Sequence, residues 1–352
     1  MVSTETEVAA STSHGGSQPS VIDYNHSLFL NPSDVSGVQI ISFQLTETFK
    51  MKDLGELKFF LGIEFARSDK GILMHQRRYA LELLAELGLG AAKPAGAPID
   101  YNLKLTSKQF DDHVKHMKPD NDPPTDQRAY QRLVGKLLYL TMTRPDIAFS
   151  VQTLSQFLQS PKKSHMEAAV RVVRYVKNQP GLGVLLSSSS EEKVSAYCDA
   201  DWASCPQTRR SVTGYFVKLG DSIVSWKSKK QATVSRSSAE AEFRSLAAVV
   251  AELVWILGLM KEIGSEVTLP VCVFSDSKSA MQIAANPVYH ERTKHIDVDC
   301  YFIREKILQG VITTSYISTQ EQPADMLTKG LTRVQHNNLN SKLGLCDIFS
   351  PS

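Results

Sequence analysis

Apolar and polar positions change rhythm twice along the chain. Residues 1 to about 38 mix Ser, Thr, Gly and Asn with scattered apolar residues and show no period, which predicts a disordered leader with no part in a core. From Ile40 to Leu61 the pattern predicts an amphipathic helix, a turn at Gly55 and a short β-rich run, with a hairpin turn at Asp69 to Gly71. Arg78 to Gly88 returns to helical spacing and ends on a glycine. A Pro/Ala/Gly linker follows, and then a polar stretch from Thr106 to Asp126 that reads as surface loop. Tyr130 to Phe157 reads as two helices broken before Pro145, because proline removes an N–H that a helix interior needs. A further helix runs from about Ser164 to Lys177.

After Pro180 short runs suited to strands alternate with helical stretches. A strand GVLL leads into the serine linker Ser187 to Ser190, which marks the expected domain boundary. Beyond it the pattern predicts strands at Val194 to Ala203, Gly214 to Leu219 and Ser222 to Lys227, then a long helix from Ala239 to Ile263. In that helix Phe243, Leu246, Ala247, Val250, Leu253, Val254 and Leu257 line one face, as a helix laid on a sheet requires. A strand Val271 to Ser275, a short helix, a helix Ile296 to Gln309, a strand Val311 to Ile317 and a last helix from Pro323 complete the series. Early strands followed by alternating helices and strands predict an α/β fold with a mixed sheet flanked by helices.

Composition is that of a globular protein, with 42% hydrophobic and 22% charged residues in 352. The length suits about two domains. The most apolar stretch, Ser245 to Met260, is interrupted by Glu252, so no membrane span is expected. No secretory or import signal is visible, which makes cytoplasm or nucleus the expected location. Five cysteines (Cys198, Cys205, Cys272, Cys300, Cys346) form no CxxC pair and read as reduced thiols rather than a disulfide framework or zinc site. The net charge of +2 hides a gradient: residues 205 to 236 hold seven bases against the single acid Asp221. Such a concentration suits a phosphate backbone, although a solvated hairpin face would look the same.

Four carboxylates stand near expected strand ends and helix starts: Asp199 in YCDADW, Glu240 in SSAEAE, Asp276 in VFSDSKSA and Asp325 in QPADML. An acid after the apolar run VCVFS is costly unless it is exposed, hydrogen-bonded or neutralised by a cation. A hard divalent cation is a fitting partner, and two ions about 3.5 to 4 Å apart can clamp both oxygens of a phosphodiester displacement. Each acid also has a plainer reading. Ser237 and Glu240 fit a capping box, and Asp325 follows Pro323 as an acid at a helix start would. By period two Asp199 and Asp201 share a strand face, and Glu240 and Glu242 flank the apolar helix face at similar angles. Spacing alone leaves both pairs open.

The surrounding residues carry a resemblance. YCDADWASCPQTRRSVTGYFVKLGDSIVSWKSKKQATVSRSSAEAEF, VFSDSKSAMQIAANPVYHERTKHIDVDCYFIREKI and YISTQEQPADMLTKGL are similar to the carboxyl-terminal part of copia-type LTR retrotransposon Pol polyproteins, the end of the reverse transcriptase followed by its ribonuclease H domain. Upstream, FKMKDLGELKFFLGIE, YQRLVGKLLYLTMTRPDIAFSV and VRVVRYVKNQPGLGVLL resemble the polymerase tail and the connection, so the resemblance covers about Gly37 to Gly330. It implies a ribonuclease H-like mixed sheet preceded by a truncated palm and thumb-connection remnant. The implied organisation is a leader over 1–36, a reverse transcriptase remnant over 37–128, a helical connection over 129–186, a ribonuclease H-like domain over 190–333 and a tail over 334–352.

The same resemblance implies Asp199, Glu240, Asp276 and Asp325 as the catalytic, metal-binding set, preferring Asp199 over Asp201 and Glu240 over Glu242. It implies two Mg2+ ions, with Mn2+ also suited to oxygen ligands, and cleavage of the RNA strand of an RNA/DNA hybrid. Arg209, Arg210, Lys227, Lys229, Lys230 and Arg236 would then hold hybrid phosphates. A complete reverse transcriptase is a further implied partner, and neither a membrane nor a small-molecule cofactor is expected. The sequence departs from the family pattern in two places. No paired-aspartate hairpin of the YVDD kind is present, and Asp111-Asp112 sits in the polar stretch KQFDDHVKH, so DNA synthesis is not expected. Ser318 to Ala324 holds no histidine before the last acid, and His290 and His295, the nearest, are left out of the set. A catalytically inactive remnant and a nucleic-acid-binding module are the competing readings.

Overall fold

The computed structural model describes residues 56–114, 122–188, 193–265, 267–285 and 296–349. The leader expected over 1–36, the helix expected after Ile40, and His290 and His295 lie outside the described residues. The strands are β1 (Phe59–Phe60), β2 (Ile63–Ser68), β3 (Gly71–His75), β4 (Gly183–Ser187), β5 (Val194–Asp201), β6 (Val212–Leu219), β7 (Ser222–Lys230), β8 (Val271–Ser275), β9 (Ile312–Tyr316) and β10 (Leu345–Cys346). They form two five-stranded sheets.

The first sheet is antiparallel, in the order β1-β2-β3-β4-β10. Its β2–β3 hairpin turns where the spacing predicts, at Asp69 to Gly71. Gly71 has φ 133°, and a Cβ there would lie 2.0 Å from the Leu186 carbonyl oxygen, so no other residue fits. Helices Arg77–Glu86, Gln127–Leu140, Ala148–Ser155 and Lys163–Val176 form a core around Tyr130, Val134, Leu137, Val151, Val172 and Val176. The helix Gln127–Leu140 starts because the Asp126 carboxylate accepts the Arg128 and Ala129 N–H groups. The break at Pro145 is a short 3-10 turn, Pro145–Ile147, between two helices. Asp111-Asp112 lies in a helix, Lys108–Val114, rather than a loop. Ser107 accepts the Phe110 N–H at its start, and the Asp111 carboxylate pairs with buried Lys162.

The second sheet has the order β7-β6-β5-β8-β9: β5, β6 and β7 are antiparallel, while β8 runs parallel to β5 and β9 to β8. This is a ribonuclease H-like α/β arrangement. The helix Ser238–Glu262 connects β7 to β8 and lays Phe243, Leu246, Val249, Val250 and Leu253 on Val194, Ala196, Val217, Val271 and Val273. Each such side chain contributes about 1.5–3 kcal/mol by leaving water. The helix is long and apolar enough to cross a membrane by length and composition. Glu252, at its middle, accepts hydrogen bonds from Tyr215 and Ser225 of the sheet.

The segment expected as a tail after residue 333 holds the helix Arg333–Lys342 and β10. Its sequence hides the helix, because only His336 and Leu339 are buried among polar neighbours; a capping box between Thr332 and Gln335 starts it. Leu339 and Leu343 join Phe216, Ile223, Leu327 and Val184 in a core that both sheets share. Beneath it Arg144 and Asp146 form a buried bidentate pair, at 2.7 and 2.9 Å, to which Tyr175 adds a hydrogen bond of 2.8 Å. Asp146→Ala would leave the guanidinium buried and unpaired, and should cost about 3–5 kcal/mol in urea unfolding. Replacing both partners by apolar residues should cost less than that single change, and the reverse ranking would refute this account of the pair.

Candidate functional site

Asp199, Glu242 and Asp276 each bring a carboxylate oxygen within 4.8 Å of the others. Three elements produce this. Asp199 lies near the end of β5, on the face it shares with Tyr197, while Cys198 turns to the long helix. Asp276 follows the last residue of β8, the parallel neighbour of β5, so both acids emerge at the same sheet edge. Glu242 comes from the long helix, whose Ser245 hydroxyl donates to the Asp199 carbonyl at 2.7 Å and reaches the Gly214 carbonyl at 3.3 Å. Residues three apart share a helix face, so the Ser245 contact aims Glu242 at the cluster.

The 3-10 turn Pro323–Leu327 covers the other side. Gln322 donates to the Cys198 carbonyl at 3.0 Å and anchors it. Gly214 lets it come close, since a Cβ there would lie 2.6 Å from Thr328 and 2.7 Å from Leu327. Thr328 Oγ1 donates to Asp199 Oδ2. Lys329 Nζ lies 2.9 Å from Asp325 Oδ1 and 3.7 Å from Asp199 Oδ2. Asp325 therefore stands beside the three-acid cluster, joined to it through an ammonium. At the outer side Thr319 donates to Asp276 Oδ2 at 2.8 Å.

Glu240 is not part of the cluster. Its Oε1 accepts from Arg244 at 3.0 and 3.1 Å and its Oε2 accepts the Arg236 N–H at 2.8 Å, while its own N–H donates to the N-cap Ser237. Ser237 caps the helix as the Ser-x-x-Glu pattern allows, but Glu240 bonds back one residue earlier than a capping box would, to the Arg236 N–H, and adds an i,i+4 ion pair with Arg244. Two residues on, a helix has turned about 200°, which carries Glu242 inward. The usable signals were the Arg244 partner for Glu240 and the spacing of Glu242 to Ser245. Asp201 keeps the strand face of Asp199 but lies outside the cluster, where Lys329 and Lys104 offset its burial.

Burial, and then the charges of Asp199 and Asp276, push the Glu242 carboxyl up to about 9. Burial, with Asp199 next, pushes Asp325 up to about 7. Asp199 is raised by burial although Lys329 and Thr328 oppose it, and against its own burial Lys329 is raised by Asp199 and Asp325. Glu242 is 8% exposed, and its Oε2 is buried without a hydrogen-bond partner. A buried acceptor facing two more carboxylates needs a proton or a cation, and an all-oxygen donor set fits a hard divalent ion.

The six bases expected to face phosphate divide. Lys227 and Lys229 share one face of β7, and Lys230 points to the other, where it donates to Gln156 at 2.9 Å. Arg209 and Arg210 are exposed in the loop between β5 and β6, and Arg236 is exposed before the long helix. Lys218, counted in the basic stretch, is a structural tie that donates to the Lys342 carbonyl at 2.8 Å. The thiols of Cys198 and Cys300 are buried, and no disulfide joins any of the five cysteines, all of which are described residues.

Comparison with known proteins places these features. Residues 11–101 match the family "Reverse transcriptase (RNA-dependent DNA polymerase)", a match that begins inside the stretch read as a leader. The retrovirus-related Pol polyprotein from transposon RE1 of Arabidopsis thaliana is 40% identical over 301 residues, 86% of this chain and 20% of that protein. An uncharacterized mitochondrial protein of the same plant is 41% identical over 233 residues, 66% of this chain and 92% of its own length. Among solved structures, LC11-RNase H1 from a compost metagenome aligns with 39% of this chain and 93% of its own at 15% identity and a TM-score of 0.30, and it has also been solved with an RNA/DNA hybrid. The chain spans about a fifth of the length of the curated polyproteins it matches. With 35 to 40% identity to three such polyproteins over most of its length, it belongs to the copia-type retrotransposon Pol family.

Proposed function

We propose that this chain is a metal-dependent ribonuclease of the ribonuclease H type, cutting the RNA strand of RNA/DNA hybrids. The observation that carries the reading is the unpartnered, buried Glu242 oxygen between Asp199 and Asp276. Those three residues would hold a divalent cation, with Asp325 at its flank. When bound, Mg2+, or Mn2+ on the same oxygens, supplies Lewis acidity toward a phosphoryl oxygen and offsets charge developing there, and two ions are the number that family resemblance suggests. The chain's own groups prepare the site: Thr319 orients Asp276, Thr328 and Lys329 orient Asp199, and Ser245 locks the helix that carries Glu242. Arg209, Arg210 and Lys230 lie on the side of Asp201 and Lys329, where they would meet a polyanion. The hybrid substrate rests on family membership.

An end-labelled RNA strand in a hybrid, incubated with the full chain and Mg2+, should be cut, with no cutting in chelator. Asp276→Asn and Glu242→Gln should each lower the rate at least about a hundredfold, at or beyond the losses seen for groups that merely support metal ligands. Glu240→Gln should stay within about threefold of wild type, because a glutamine carbonyl still accepts the Arg236 N–H. Loss of cutting in Glu240→Gln with retention in Glu242→Gln would reverse the assignment. Hybrid binding by folded protein without cutting in Mg2+ would make the chain a binding module instead.

Proton occupancy gives a second test. Glu242 and Asp325 are raised to about 9 and about 7 from ordinary values of 4.5 and 3.8, so the folded state holds protons that the unfolded chain has released. Their contribution to stability is complete below about pH 4 and is lost as pH rises through 7 and then 9. The melting temperature of chelator-treated protein should therefore fall between pH 6 and about pH 9. Divalent cation should restore it most at the alkaline end, and Glu242→Gln should flatten the fall. A melting temperature of metal-free protein that rises over this range would contradict the assignment.

A further inference from the structure

A cavity of about 750 Å³ opens beside the acidic cluster, between residues 99–105, the helix Ala148–Ser155 and the loop from β5 to β6. Its chemistry comes from Tyr101, Lys104, Trp202, Arg209, Arg210 and Lys230. Lys329, which pairs with Asp199 and Asp325, is also part of its wall, and so is Asp201, two residues from Asp199. The cavity is therefore continuous with the proposed cleavage site. Its aromatic rings are presented rather than packed away: Tyr101 is 60% exposed, and Trp202 is 47% exposed although its indole N–H is fixed on the Ser235 carbonyl at 3.1 Å.

Cations and open aromatic faces in one groove fit a strand whose bases are unpaired, because a duplex buries its base faces and offers only phosphates and edges. We propose that this groove binds a single-stranded extension of the nucleic acid held at the acidic cluster, its phosphates on Arg209, Arg210 and Lys104 and its bases stacked on Trp202 and Tyr101. The inference rests on the hybrid-cleaving reading and adds to it a second contact. Its Tyr101 and Lys104 come from outside the second sheet, Tyr101 as the last residue of the stretch that matches reverse transcriptase and Lys104 three residues beyond it. The polymerase-derived part of the chain thus acts as a grip on the substrate leaving the ribonuclease site.

Cys205 gives a probe inside the groove. Lys230 Nζ lies 2.9 Å from its sulfur, and against partial burial Lys230 and the neighbouring turn bring the thiol down to about 7, so it alkylates readily at neutral pH. The test uses the full chain carrying Asp276→Asn, which prevents cutting, with fluorescence anisotropy on a blunt hybrid and on the same hybrid extended by about five unpaired nucleotides at either end of either strand. One extension should tighten binding about tenfold over the blunt hybrid, and Tyr101→Ala should return that ratio to near one. The same extension, and not the blunt hybrid, should slow alkylation of Cys205 by iodoacetamide, read by peptide mass, which requires no groove variant. Equal binding of blunt and all extended hybrids, or unprotected Cys205 under saturating extended hybrid, overturns the groove alone. Absence of binding to the blunt hybrid overturns the underlying reading of the acidic site.

Discussion

The carboxylate of Asp199 is buried on the central strand of the second sheet, and the partners it needs there organise what surrounds it. Removing such a group from water costs several kcal/mol unless partners repay it. Thr328 and Lys329 supply that partnership from the turn after Pro323, which can reach Asp199 only because Gly214 has no side chain on the neighbouring strand. Ser245 ties the strand backbone to the long helix. The same requirement that stabilises one carboxylate thus fixes a strand, a helix and a turn relative to each other, and these are the elements that carry the other acids.

One lysine cannot satisfy every acid it faces. Lys329 pairs with Asp325 and Asp199, whereas among the described residues no ion pair is formed by Glu242, whose Oε2 is buried without a hydrogen-bond partner. Two populations of carboxylate follow, one paired by the chain itself and one whose oxygens would suit the proposed divalent ion. The Lys329 ammonium and the Thr328 hydroxyl hold the first group in place by contacts of the chain alone.

Much of this was readable from residues. Alternation and helical spacing located the strands of the second sheet and its long helix, because those segments bury one regular face; the break at Pro145 followed from a missing N–H. The acids in YCDADW and VFSDSKSA were visible through their position after apolar runs. Glu240 and Glu242 occupy similar sequence surroundings, and only the tertiary contact of Ser245 with β5 separates the one that bonds Arg244 from the one that meets Asp199 and Asp276. The helix Arg333–Lys342 escaped because a helix that buries two residues has almost no period to detect. Lys329 carried no signal as a lone base, since its role depends on a turn packed against a distant glycine.

The first sheet is not closed by its own neighbourhood in the chain. Its edge beside β4 is occupied by β10, residues Leu345–Cys346, which reach it only after the entire second sheet has been traversed. On a ribosome the early strands β1 to β3 and the helices over them emerge first, yet their fourth strand comes more than a hundred residues later and their fifth after more than a hundred and fifty beyond that. The sheet begun first is thus completed by a segment made after the second sheet, and Val184, Phe216 and Ile223 wait more than a hundred residues for the cover of Leu339 and Leu343. In a nascent chain of this topology the outer edge of β4 therefore stays unpaired while the whole second sheet emerges.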